Sequence, residues 1–180
     1  MPDTKLVKFE VFRFSPEDPE DVAGERWQTY EVPCREDWVV LDALNHIKDE
    51  IDPTLSHRWS CRMGVCGSCG MMINGVPDLT CKSFVRDLPQ PIRVAPLANF
   101  PVVRDLAVDR SPLDRIIEAG GYISVGTGAA SDANLTPVPK VAADRAFDAA
   151  TCIGCGACVA TCKNASAMLF VAAKVKHLNI

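Results

Sequence analysis

Residues 61–81 read CRMGVCGSCGMMINGVPDLTC and set Cys61, Cys66, Cys69 and Cys81 in a C-x4-C-x2-C-x11-C spacing. A [2Fe–2S] rhomb needs four thiolates converging from one side, with backbone N–H groups softening the charge on sulfur. A C-x4-C-x2-C loop supplies three of those thiolates from one tight turn. Gly64, Gly67 and Gly70 sit between and after the cysteines, where the backbone must reach unusual φ and approach the cluster closely. The fourth thiolate returns by a hairpin. Met71 to Ile73 runs out, Asn74-Gly75 turns, and Val76 to Thr80 runs back to Cys81. Cys66 and Cys69 also form a zinc-like C-x2-C, but a zinc ribbon pairs two such knuckles rather than wrapping three cysteines around one loop. Iron–sulfur is the preferred reading.

Length and composition bound what the rest of the chain can be. With 180 residues, 48% of them hydrophobic, the chain can bury roughly 70% of its unfolded surface, enough for one domain or two small ones. A formal net charge of −4 argues against nucleic acid as partner, since a phosphate-binding surface wants a basic excess. No run approaches the roughly 18 apolar residues of a membrane span. The opening residues, MPDTKLVKFE, have neither the apolar core of a signal peptide nor the character of a transit peptide. The nine cysteines therefore point to a reducing compartment and to ligation rather than disulfides. Eight fall into two groups of four, which leaves Cys34 as a buried or incidental thiol.

Upstream of the cysteine loop, Val7, Phe9 and Val11 alternate with Lys8 and Glu10, predicting a half-buried strand that continues to Phe14. Ser15 to Gly24 reads as a loop, and Trp27 to Val32 as a second strand pairing with the first. Asp37 offers an N-cap for a helix whose apolar face is Val40, Leu44, Ile47 and Ile51; Asp52-Pro53 ends it. Downstream, Ile92 and Val94 mark a last strand. Two strands, a helix, a metal loop, a hairpin and a final strand make a β-grasp-like ferredoxin unit. His46 reads as a helix-surface residue, and His57 is not needed as a ligand because four cysteines saturate the cluster. Arg58 and Arg62 can either raise the cluster potential or form a solvated rim, and Ser68 can either donate to sulfur or suit a turn.

Pro96 to Asp109 reads as a passage between domains. Ser111-Pro112-Leu113-Asp114 starts a helix with Leu113, Ile116 and Ile117 as its stripe, stopped by Gly120-Gly121. Ser124 to Lys140 reads as a long loop, Asp144 to Ala150 as helix with Phe147 as its core contact. Residues 151–162, TCIGCGACVATC, then give C-x2-C-x2-C-x3-C through Cys152, Cys155, Cys158 and Cys162. Three cysteines in seven residues wrap three corners of a [4Fe–4S] cube, while the fourth of such a run ligates a different cluster. Gly154, Gly156 and Ala157 keep this loop small. Ser166 to His177 reads as a closing helix.

The loop CRMGVCGSC, the hairpin MMINGVPDLTC, the connector ANFPVVRDLAVD and the segment CIGCGACVATC together resemble the iron–sulfur subunit of succinate dehydrogenase and fumarate reductase. The resemblance implies an α+β chain. An N-terminal β-grasp, plant-type [2Fe–2S] ferredoxin-like domain would occupy residues 1–103. An all-α ferredoxin-like domain, incomplete, would occupy residues 104–180. It implies that Cys61, Cys66, Cys69 and Cys81 hold a [2Fe–2S] cluster, that Cys152, Cys155 and Cys158 hold three irons of a [4Fe–4S] cluster, and that Cys162 belongs to a [3Fe–4S] cluster. The partners implied are a flavoprotein subunit, membrane anchor subunits and quinone. The place implied is the cytoplasmic face of a bacterial inner membrane, with attachment through those partners. That family carries a further downstream cysteine group, which does not follow Cys162 here, so the resemblance implies a fragment or an incomplete relay. The family often has proline and tryptophan after the fourth cysteine; here stand Lys163, Asn164 and Ala165, so the quinone site does not carry over. The rival readings are a stand-alone ferredoxin-type carrier and, less favoured, a structural zinc protein.

Overall fold

The computed structural model describes residues 4–18, 26–116, 139–149 and 152–165. They fall in two units, Met1–Arg110 with Ile153–Ala165, and Ser111–Cys152 with Ser166–Ile180.

The first unit is built on a mixed five-stranded sheet. Strands β1 (Thr4–Arg13), β2 (Arg26–Arg35), β3 (Gly70–Ile73), β4 (Val76–Leu79) and β5 (Ile92–Ala95) lie in the order β2-β1-β5-β3-β4. β1 and β2 pair antiparallel with Val7 opposite Val32 and Phe9 opposite Tyr30. The alternation read from Val7, Phe9 and Val11 therefore puts all three in the core, where they meet Val32, Ile92 and Val94. β5 runs parallel to β1 and antiparallel to β3. Proline lies in β2 (Pro33) and β4 (Pro77), the two edge strands, where a missing N–H costs least. Asn74 and Gly75 both take positive φ, +48° and +81°, as the two-residue β3–β4 turn requires.

Helix α1 (Val40–His46) runs on into a π-helical turn, Ile47–Ile51, and packs Val40, Ala43, Leu44 and Ile47 into that core. Its start differs from expectation. Val39, not Asp37, is the N-cap, and Asp42 reaches back to accept the Val39 N–H at 3.2 Å. Ile51, the last residue of that turn, lies where the helix ends and is 45% exposed rather than part of the apolar face. The segment read as a plain connector carries a small antiparallel pair, β6 (Val102–Arg104) with β7 (Ala107–Val108), and its turn buries Asp105 and Leu106.

Of the second unit, helices α2 (Ser111–Ile116) and α3 (Lys140–Ala149) are described. α3 begins earlier than the sequence suggested, with Pro139 O accepting from the N–H groups of Ala142 and Ala143. The expectations for Ile117, Gly120-Gly121, Phe147 as core contact, the body of the Ser124–Lys140 loop and the closing helix from Ser166 lie outside the described residues.

Candidate iron–sulfur site

Two elements hold the ends of the cysteine loop. At the far end, Thr80 is fully buried and donates to Cys69 O through both its backbone N–H (3.2 Å) and its hydroxyl (3.1 Å). The residues flanking Cys81 in turn satisfy the first amides of α1: Thr80 O accepts from Leu41 N at 3.0 Å and Ser83 O from Val40 N at 2.9 Å. A helix start leaves such N–H groups without intrahelical partners, so the helix and the returning segment fix one another. Leu41, on the side of α1 away from the main core, packs with Cys69 and Cys81, and all three are buried.

The near end is more open. Cys61 and Cys66 are partly exposed, and each sulfur accepts an amide from two residues on, Met63 N to Cys61 Sγ and Ser68 N to Cys66 Sγ, both at 3.4 Å. The four thiols form one interacting set, with Cys66 beside Cys61 and both Cys69 and Cys61 acting on Cys81. The amides of Met63 and Val65, then the Cys66 thiol, lower the Cys61 pKa to about 6. Burial, then the Cys69 thiol, pushes Cys81 up to about 11. Gly64 and Gly67 have the positive φ expected (+75° and +69°), whereas Gly70 does not and instead opens β3. Its lack of a side chain serves close approach, since a Cβ there would stand 3.2 Å from Cys155 O.

The flanking polar residues are tethered. Arg58 Nε donates to Ser68 Oγ (3.1 Å), while Ser68 gives its backbone N–H to Cys66. Arg62 pairs with Asp42 at 3.0 Å and stacks over Trp59. His46 lies beside Trp38, ring centroids 5.6 Å apart. His57 places Nε2 2.8 Å from Asn45 Oδ1, with Nδ1 buried and unbonded, and burial lowers its pKa to about 4. The imidazole is thus a neutral structural group beside the loop. Cys34 is buried at 2% exposure, as a leftover thiol should be.

A profile of the 2Fe-2S iron–sulfur cluster binding domain matches residues 8–115. The chain belongs to that family. Within it, the chain is 40% identical over 173 residues to the fumarate reductase iron–sulfur subunit of Haemophilus influenzae, covering 90% of this chain and 66% of the relative. It is 33% identical over 176 residues to the succinate dehydrogenase iron–sulfur subunit of Bacillus subtilis, covering 91% and 66%. Among solved structures, a chain of the Mycobacterium smegmatis Sdh1 complex in the apo form is similar at a TM-score of 0.73 and 28% identity, over 88% of this chain and 64% of that one. The chain thus spans about two-thirds of the length of these relatives.

The second cysteine group divides. Cys155, Cys158 and Cys162 lie in the first unit, on and around the short helix α4 (Ala157–Thr161); Cys152 is assigned to the second. Gly154 and Gly156 take positive φ (+65° and +83°). Gly67, expected to matter for the first loop, acts here too, together with two residues that sequence reasoning passed over, Asn99 and Arg110. Gly67 touches the Cys155 backbone, Asn99 donates to carbonyls at the end of α4, and Arg110 Nη2 donates to Gly154 O. For Asn99 the available signal was its residue type, since asparagine tolerates the left-handed φ of +67° found there.

Proposed function

We propose that Cys61, Cys66, Cys69 and Cys81 hold a [2Fe–2S] cluster and that the chain is the electron-transfer subunit of a succinate dehydrogenase or fumarate reductase. It would relay single electrons between a flavoprotein subunit and membrane quinone. The observation that supports this is the gathering of four mutually influencing thiols on one loop and its returning hairpin, with amides aimed at Cys61 and Cys66 and an apolar wall at Cys69 and Cys81. This donor set fits a rhomb. When bound, such a cluster accepts and gives up one electron at a time.

The chain's own residues then have assignable work. The amides of Met63 and Ser68 spread negative charge from sulfur, which eases reduction. Leu41 keeps water from the inner pair, and Thr80 fixes the spacing of Cys69 to Cys81. Ligation displaces the proton that burial holds on Cys81. In this reading residues 1–103 form the [2Fe–2S] domain and residues 104–180 carry the second group. There Cys152, Cys155 and Cys158 would hold three irons of a [4Fe–4S] cluster, and Cys162 would serve a [3Fe–4S] cluster. Those two assignments need ligands beyond the nine cysteines of this sequence.

No helix among the described residues is long and apolar enough to cross a membrane. Attachment at the cytoplasmic face of a bacterial inner membrane would come through anchor subunits. A subunit, unlike a free carrier, should present apolar surface beside its cluster. Met63 and Val65, in the loop itself, are 65% and 60% exposed, and Trp59 is 43% exposed. The test is reduction by succinate of the complex isolated anaerobically. The reading expects a rhombic EPR signal from the reduced cluster, lost in Cys66→Ala. Isolation as a monomer without a flavoprotein, reducible only by generic donors, would favour the stand-alone carrier instead.

A further inference from the structure

Cys155 rests on the first cysteine loop at Gly67. A Cβ at Gly67 would stand 2.7 Å from Cys155 Cα and 2.9 Å from its N, distances that real Cβ atoms do not reach, and φ there is +69°. These are backbone atoms that cannot swing aside, so a side chain at Gly67 must part the two loops. Asn99 works from the far end of α4. Its Nδ2 lies 2.9 Å from Val159 O, 3.3 Å from Ala160 O and 3.0 Å from Cys162 O, adding a side-chain donor where the turn's own amides already serve two of the carbonyls, Cys162 N–H to Val159 O at 3.1 Å and Ala165 N–H to Cys162 O at 3.0 Å. A helix of five residues is far below the length that holds itself in water. Its place depends on what grips it.

We propose that Gly67 and Asn99 are positioning residues for electron passage between the two cysteine groups. Gly67 admits the Cys155 backbone against the first loop, and Asn99 latches α4 so that the contact persists. The consequence for electron transfer, whose rate falls steeply with separation, rests on the cluster reading above; the latch does not.

The test uses the full chain purified without oxygen, with Asn99→Asp, Asn99→Gly and Gly67→Ala. Asn99→Asp keeps the shape and the left-handed backbone but turns an acceptor toward three carbonyls. Asn99→Gly keeps the backbone and removes the amide. Both should speed amide hydrogen exchange in peptides covering 157–165 by about tenfold, with peptides of β1 and β2 unchanged. On reduction, magnetic interaction between the centres of the two cysteine groups should weaken in Asn99→Asp and Gly67→Ala. In Asn99→Asp the [2Fe–2S] g-values should stay as in the wild type. Exchange within twofold of wild type in both Asn99 variants would overturn the proposal, whether or not Gly67→Ala folds. A wild-type chain with no cluster signals would instead overturn the cluster reading, and the exchange result would still judge the latch.

Discussion

Asp105→Asn keeps the volume of a buried side chain and suits the same left-handed backbone (φ +46°), yet it should weaken the fold substantially. Asp105 is 2% exposed, and its carboxylate accepts three hydrogen bonds: Arg13 Nε and Phe14 N at 3.0 Å and Ser56 N at 2.8 Å. Arg13, itself 5% exposed, also binds Asp52 at 2.6 Å, Tyr30 at 2.6 Å and Thr54 at 2.8 Å. This cluster clasps the β6–β7 turn to the end of β1 and to the segment entering the cysteine loop. Burial alone would lower the Arg13 pKa, but the bonds to Asp105 and Asp52 raise it on balance. With an amide at 105, an N–H₂ faces either Ser56 N–H or both Arg13 Nε–H and Phe14 N–H. Even in the milder orientation one donor is left unsatisfied, at about 1–3 kcal/mol, and the bond from Arg13 meets a neutral carbonyl in place of a carboxylate, about 1 kcal/mol more. Arg13 keeps Asp52, so the full penalty for an uncompensated buried ion does not apply. The sum is roughly 2–4 kcal/mol. With a urea slope of about 2 kcal/mol/M, the unfolding midpoint should fall by roughly 1–2 M. The comparison variant is Glu17→Gln, which breaks the exposed Arg104–Glu17 pair (2.9 Å, side chains 40% and 80% exposed) and should shift stability by at most about 1 kcal/mol. Equal midpoints for the two variants, read by circular dichroism, would refute the reasoning.

His57 has a pKa near 4 in the folded chain against about 6.5 when unfolded. The unfolded chain therefore binds that proton first; stability is fully present above about pH 6.5 and declines as pH falls toward 4. Urea midpoints at pH 7 and 5 should differ less in His57→Gln than in wild type, and an unchanged difference would contradict the assignment. Burial pushes Cys34 up to about 11, so at pH 8 roughly one molecule in a thousand carries the reactive thiolate, against about a quarter for a free thiol. Iodoacetamide labelling of the native chain, mapped by mass spectrometry, should modify Cys34 more than a hundredfold slower than the same cysteine in urea.

Much of the first unit was legible because its signals are local. The 61–81 spacing, the Asn74-Gly75 turn and the alternation around Phe9 each act over a few residues. What was hidden depends on residues far apart in sequence. Nothing near Asp105 shows that it will meet Arg13, 92 positions away, because an acidic residue in a turn usually faces water. Asn99 looked like ordinary connector sequence, and only the arrival of α4 gives its amide a task. Asp37 misled as an N-cap because Asp42, three residues after Val39, supplies the reciprocal bond from inside the helix. The pairing of β5 with β1, between strands nearly eighty residues apart in sequence, is likewise written in no local pattern.

The proposed cluster places two irons and two sulfides on the four thiolates of one loop. Iron and acid-labile sulfide should be counted in the oxygen-protected chain and in Cys66→Ala side by side. The variant should lack about two irons and about two sulfides relative to wild type, together with the rhombic EPR signal. Equal iron and sulfide in the two proteins, or stoichiometric zinc without labile sulfide in the wild type, would contradict it.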